Sequence, residues 1–497
     1  MRSPRILLAL VCYAALLATT AWASPAYPGS GRVLLAFSLS FGILAGVAMW
    51  PRLSIGYLFF AAFLVLGFWL KLMAHLILGY ELIEPTGAFE GSAEQWDRAL
   101  VYAALGAAGA AAGKLAMTPA LERLIPGGRL SELAGHGMPN WYPRYRCLLW
   151  MMYVVVLLLL CAANYHYAFY QTGVEPSLVL PAHLNVFPAW LINIGFALGL
   201  AVLVNWELAF RPERIALVAA GIVLQAVVIS ISALSRSVIL FQSVPALVVL
   251  GIYMWNRRDR RKLVMIGSVV FLTIMLVAAA VTTIRFVTYP LPPSQDIRNS
   301  VTGVVERLTP LQALKSPDVD EPSKAAIRDG IRAEIVRQVG KLVIGRWVGL
   351  EGVLAISSSR ETGYPLLVKA VREDPRLGNN SIYQGIAQAD SYTRQSEPGQ
   401  FTFLTLPGVV GVLTYSGSAT IVFLGMLLVS VVLLAIERST VVFTKNAFFG
   451  ITGSVALANV LVQMNFPYLS LVFIAQLLFA TGVISVVQRW PHVPFET

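Results

Sequence analysis

Apolar stretches of about twenty residues recur along almost the whole of this chain, and that recurrence decides its solvent. A helix rising 1.5 Å per residue needs about 20 residues to cross the ~30 Å hydrocarbon core of a bilayer. Runs of that kind lie near 6–24, 33–50, 53–79, 98–117, 146–169, 185–207, 214–233, 237–255, 263–284, 410–436, 445–464 and 468–488. With 57% hydrophobic and only 13% charged residues, the chain lacks the polar surface of a water-soluble domain. The expected fold class is all-α: a polytopic bundle of about twelve transmembrane helices. Residues 1–284 hold the first nine helices, 285–409 one large extracytoplasmic loop carrying amphipathic helices, and 410–497 the last three.

Orientation follows from the short loops, because lysine and arginine collect on the cytoplasmic side. The strongest marker is Asn256-Arg257-Arg258-Asp259-Arg260-Arg261-Lys262. Alternating outward from it places Arg2, Arg5, Arg52, the 118–145 loop, Arg211, Arg214, Arg438, Lys445 and Arg489 inside, with both termini cytoplasmic. The opposite loops carry Glu81, Glu84, Glu90, Glu94 and Asp97 or are nearly uncharged. This bias accounts for much of the net charge of +11, so nucleic acid is not an expected partner. Arg2, Arg5, an apolar run and Ala21-Trp22-Ala23 resemble a signal peptide, but in a polytopic chain they read as an uncleaved first helix. Cys12, Cys147 and Cys161 form no Cys-x-x-Cys pair and the five histidines are dispersed, so no metal site or cofactor is expected.

The loop 285–409 is nearly balanced in charge, and long loops translocate largely regardless of charge. Ile327, Ile331, Ile335, Val339 and Leu342 recur at near-helical spacing, with Arg328, Arg332, Glu334 and Lys341 on other faces. That pattern predicts an amphipathic helix at the outer leaflet. Asp318-Val319-Asp320 imitates the Asp-x-Asp of nucleotide-sugar transferases, but it stands in a Pro/Asp/Ser-rich connector and reads as solvated acid. Gly106, Gly109 and Gly113 follow no strand, so they predict close helix packing instead of a phosphate loop.

The candidate chemistry concentrates at the outer mouth. Arg236, in Leu234-Ser235-Arg236-Ser237, opens the eighth helix, and Arg285 ends the ninth at the same level. An arginine within the membrane costs roughly 2.5–3.5 kcal/mol even on insertion scales, so it asks for a partner. A lipid-anchored pyrophosphate, held bidentately, is one such partner; a snorkelling contact with headgroups is another. Lys71, in the outer half of the third helix, is a third cation. In the loop, Arg346-Trp347-Val348-Gly349-Leu350-Glu351-Gly352 joins a cation, an aromatic platform and a carboxylate, the mix that handling a sugar requires. Arg346 and Glu351 would not share a face of one continuous helix, and a break at Gly349 would let them converge. Asn379, Asn380 and Tyr392 are suited to sugar hydroxyls, and Asp390 or Glu84 offers an alternative base to Glu351. The run from Phe401 to Glu437 is too long for one span, and Pro407-Gly408 and Tyr415-Ser416-Gly417-Ser418 interrupt it, as a broken helix or a kink.

Taken with these local motifs, the order of parts resembles the Wzy-type oligosaccharide repeat unit polymerases, or O-antigen polymerases. The resemblance covers most of the chain as architecture, on Ser235-Arg236-Ser237, Arg346 to Gly352, and Pro407-Gly408 followed by Tyr415-Ser416-Gly417-Ser418. The chain departs from the family's loop pattern of an arginine followed eleven residues later by glycine, which none of Arg328, Arg337, Arg346 and Arg360 begins. The resemblance implies a bacterial inner-membrane glycosyltransferase that needs neither metal nor nucleotide. It would polymerise lipid-linked repeats at the periplasmic face by inverting transfer, with undecaprenyl pyrophosphate as leaving group. Arg236, Arg285 and Arg346 would bind the pyrophosphate, Glu351 or Asp390 would act as catalytic base, and Trp347, Asn379, Asn380 and Tyr392 would contact sugar. The expected partners are the lipid-linked oligosaccharide and the bilayer, with a chain-length regulator protein as a further candidate. An O-antigen ligase and a glycolipid flippase are the alternative functions.

Overall fold

The computed structural model describes residues 3–50, 53–80, 82, 84–124, 137–171, 178, 186–256, 260–288, 347–373, 381–387 and 406–489. Every regular element among them is helical: α1 Ser3–Ala23, α2 Gly31–Met49, α3 Ile55–Leu78, α4 Ala93–Leu124, α5 Tyr142–Tyr167, α6 Phe187–Phe210, α7 Ile215–Ser232, α8 Arg236–Asn256 and α9 Arg260–Thr288. After the start of the large loop come α10 Leu350–Ser358, α11 Tyr364–Val371, α12 Ile382–Ala387, α13 Gly408–Thr414, α14 Ala419–Thr444, α15 Ala447–Val462 and α16 Pro467–Arg489. Nine helices among the described residues are long and apolar enough to cross a membrane, and Phe241–Trp255 and Ala447–Val462 are shorter apolar ones. With α1, these are the twelve runs of the sequence. The protein is an all-α, multi-pass membrane protein.

Two helices depart most from their expected limits: the span expected at 98–117 extends over Ala93–Leu124, and another is broken. The span expected at 410–436 divides into α13 and a long α14 that starts at Ala419. The break is built from Gly417, whose φ of +65° suits a residue without Cβ, and Ser418, whose hydroxyl caps the Ile421 amide. Two carbonyls freed there find donors elsewhere. Gly363 N–H donates to Tyr415 O at 2.7 Å, and Tyr102 OH to Gly417 O at 2.8 Å.

Helix α4 runs through the centre of the bundle, packed against α2 and α14. Its glycines make the close approach possible. A Cβ on Gly109 would lie 2.2 Å from the Phe423 carbonyl oxygen, and one on Gly113 2.6 Å from that of Leu427. Those distances bear out helix packing as the use of Gly106, Gly109 and Gly113. Helices α5 and α9 lie at the periphery, with Met151, Leu159, Val264, Phe271 and Leu276 exposed where lipid is the natural neighbour.

Loops that the sequence sorts to opposite sides lie at opposite ends of the bundle. At the first end, Asp97 accepts from Tyr27 OH at 2.8 Å and from Ser30 N–H at 2.9 Å, and Gly87 N–H donates to Ala387 O. At the second, Arg146 forks onto Glu207 at 2.6 and 2.7 Å, and Gly137 packs against Lys445. Helix α1 begins and α16 ends at this second end.

Candidate site at the first end of the bundle

The site begins with a departure from regular helix inside α3. Residues Val65–Leu70 form a π-helical stretch, which rotates the following residues and leaves Gly67 facing the returning loop. A Cβ on Gly67 would lie 2.0 Å from the Val348 carbonyl oxygen, so only glycine admits this contact. Gly349 has a φ of +152° and packs against the Phe68 ring, and α10 starts immediately after it. Gly352 then lies against the backbone of Pro407, where a Cβ would meet the carbonyl oxygen at 2.6 Å. Residues 347–358 thus enter the bundle as a backbone-tight wedge, and nearly all of α10 is buried. The surface amphipathic character expected of the loop helices does not apply to α10.

One ion pair fixes this wedge. Lys71 Nζ lies 2.6 Å from both carboxylate oxygens of Glu351 and 2.6 Å from the Trp347 carbonyl oxygen. Trp347 O and Glu351 Oε2 accept hydrogen bonds from the ammonium, and Oε1 is held by charge alone. The two side chains are 3% and 1% exposed, so water screens the pair little. Burial pushes the Glu351 carboxyl up from its ordinary range, and the Lys71 ammonium pulls it back. Glu351 is therefore bound to a cation in this arrangement and does not stand open to a sugar hydroxyl, and Lys71 is turned to the protein and not to an outer cavity.

An aromatic contact chain carries the wedge onward to α8. The Trp347 ring stacks on Phe63 with centroids 6.0 Å apart, and Phe63 meets Phe241 edge-to-face at 5.7 Å. Phe241 is five residues beyond Arg236, so two separate motifs of the sequence come together at one place. Helices α8 and α9 form an antiparallel hairpin, with Arg236 opening the first and Arg285 in the last turn of the second. Both arginine backbones thus lie at the same end of the hairpin. Beyond α10, a cavity of about 750 Å³ opens between α11 and α12, with Lys369, Arg372 and Glu373 on its lining. Burial raises the Glu373 carboxyl, while the Ile382 amide and Lys369 oppose the shift.

Arg346, Asn379, Asn380, Asp390 and Tyr392 lie outside the described residues, as do the Asp318-Val319-Asp320 acids and the 327–342 helix. Phe63, Gly67 and Phe241 escape sequence reasoning, because an aromatic or a glycine in an apolar run carries no mark of its partner. The Lys71–Glu351 pair leaves a faint one: each is an ionisable group isolated among apolar neighbours.

No family model, no curated protein and no solved structure matches this chain. The fold and the site define a class: a multi-pass helical membrane protein in which a late loop docks into one end of the bundle.

Proposed function

We propose that this protein is a membrane glycosyltransferase that polymerises lipid-linked oligosaccharide repeat units, of O-antigen or exopolysaccharide, at the periplasmic face of the bacterial inner membrane. The observation that carries the reading is the docking of Trp347 and Glu351 against α3, whose Phe63 in turn meets Phe241 of α8, five residues from Arg236 in the hairpin that also bears Arg285. An aromatic side chain near a hairpin end that carries two arginines suits a substrate that is half glycan and half lipid pyrophosphate.

In the proposed reaction an acceptor hydroxyl attacks the anomeric carbon of the growing chain from the face opposite its pyrophosphate. The new glycosidic bond forms as the C–O bond to undecaprenyl pyrophosphate breaks, and the configuration inverts. Arg236, Arg285 and Arg346 stabilise the charge developing on the departing pyrophosphate, as preorganised cations do. Trp347, Asn379, Asn380 and Tyr392 hold sugar. The acceptor proton goes to Asp390, or to Glu351 once Lys71 releases it.

Buried charges elsewhere argue against a transport path, since each is tied to the frame. Glu437 caps the start of α3, Glu207 holds Arg146, and Lys114 donates to Ala48 O at 2.8 Å. Replacing Arg236 with alanine is expected to abolish polymer while leaving membrane insertion and folded yield intact. Polymer of normal length from that variant would overturn the role. Single repeats still attached to their final acceptor indicate polymerase, unattached full-length polymer indicates ligase, and the absence of any outer-face product indicates flippase.

A further inference from the structure

Three non-glycine residues among those described have left-handed backbone, and two of them, Ala168 (φ 52°) and Leu234 (φ 49°), flank one buried polar cluster. Leucine has no side-chain hydrogen bond with which to stabilise that conformation, so it persists only where the surroundings over-determine it. Leu234 is 1% exposed and stands two residues before Arg236. The turn it occupies joins α7 to α8.

The surroundings act in two layers. In the upper one, Asn164 in the last turns of α5 donates from Nδ2 to Ser232 O and Ser232 Oγ, both at 2.9 Å, and to Tyr170 O at 3.1 Å. Its Oδ1 accepts from the Tyr170 amide at 2.7 Å, and Ser232 Oγ donates to Cys161 O. The end of α7 is thereby fastened to α5. The lower layer lies against the π-helical stretch Leu191–Gly195 of α6. Gln242 Nε2 donates to two carbonyl oxygens of that stretch, Ile192 O at 3.1 Å and Asn193 O at 2.6 Å. Gln225 Nε2 donates to Gln242 Oε1 at 3.0 Å, and Tyr153 OH donates to Gln225 Oε1. Helices α5, α6, α7 and α8 are joined in one network, whose upper layer reaches Ser232, two residues before the strained turn, and whose lower layer joins α7 and α8 at Gln225 and Gln242, nine residues before it and eight after.

Apolar side chains would pack these helices at no greater cost, because hydrogen bonds between membrane helices contribute only modestly to stability. What the polar layers add is a fixed direction for the turn. We propose that Asn164 and Gln242 are positioning residues, which hold the α7–α8 turn and through it the backbone of Arg236 where the pyrophosphate is bound. This rests on the pyrophosphate-binding role proposed for Arg236.

The test is binding of undecaprenyl pyrophosphate to the full-length protein in detergent micelles, for Arg236→Ala, Gln242→Met, Asn164→Leu and the double variant Arg236→Ala/Gln242→Met. Folded protein is selected by size-exclusion chromatography, and either positioning variant suffices if the other fails to fold. The expected result is about tenfold weaker binding for each positioning variant, since sub-ångström misplacement of a binding group costs that order. The double variant is expected to bind no more weakly than Arg236→Ala alone, because the second change acts through the group already removed. Wild-type binding by Gln242→Met and Asn164→Leu, beside weakened Arg236→Ala, would overturn the inference alone. Losses that multiply in the double variant would also overturn it, by showing a role independent of Arg236. Wild-type binding by Arg236→Ala would overturn both this inference and the reading on which it rests.

Discussion

Two carboxylates buried at opposite ends of the bundle are satisfied in different ways. Glu437 accepts from the Ile55 amide at 3.1 Å, the Gly56 amide at 2.9 Å and Ser54 Oγ at 2.7 Å. It sits on the positive end of the α3 dipole and holds one membrane helix to another with neutral donors. Glu351 instead faces a full cation, Lys71, on the same α3 nearer its other end. The difference follows from what each fastens. Helices α3 and α14 are held in register by the bilayer as well as by Glu437. Helix α10 belongs to a loop and spans no bilayer, so its place depends on contacts such as this pair. An ion pair recognises that seat over a longer range than a dipole does. One contact ties two membrane helices together, and the other ties a loop helix to a membrane helix.

That contrast can be broken by experiment, and the largest effect is expected at Lys71. Lys71→Met leaves the Glu351 carboxylate buried without its cation and is expected to cost about 3–5 kcal/mol, read as a fall in thermal unfolding temperature in detergent. Adding Glu351→Leu should recover more than half of that loss, because the uncompensated charge is gone; no recovery would mean the two groups are not coupled. Gly67→Ala drives a methyl into the Val348 carbonyl and is expected to cost about 1–3 kcal/mol and to increase proteolysis within 347–373. Glu437→Gln should cost a similar ~1–3 kcal/mol yet leave polymer length unchanged, which separates the frame from the site. Asn446→Ala removes the side chain that accepts from the Phe449 amide at 2.9 Å, with an expected loss of about 1 kcal/mol in the same unfolding measurement.

The frame was legible in the sequence because a bilayer imposes one strong rule on it. Apolar runs of spanning length marked twelve helices, and the loop charges sorted them into two ends that the hydrogen bonds at Asp97 and Glu207 respect. The break at 415–418 was visible as glycine and serine in a run too long for one span. The site was less legible. Sequence spacing suggested that Gly349 would interrupt a helix, and α10 does begin after it, but nothing local revealed that Val348 needs Gly67 or that Glu351 would meet Lys71. Those pairings join residues about 280 positions apart and depend on a π-helical stretch that no composition signals. The aromatic contact from Trp347 through Phe63 to Phe241 is hidden for the same reason, since it joins three segments far apart in the chain.

The most direct test of the central claim is to delete the gene and resolve the surface glycan by size on a gel. The account predicts that the ladder of repeats collapses to a single attached unit, and that the wild-type gene, but not Arg236→Ala, restores it. A ladder unchanged by the deletion would contradict the proposed polymerase and leave the membrane architecture standing alone.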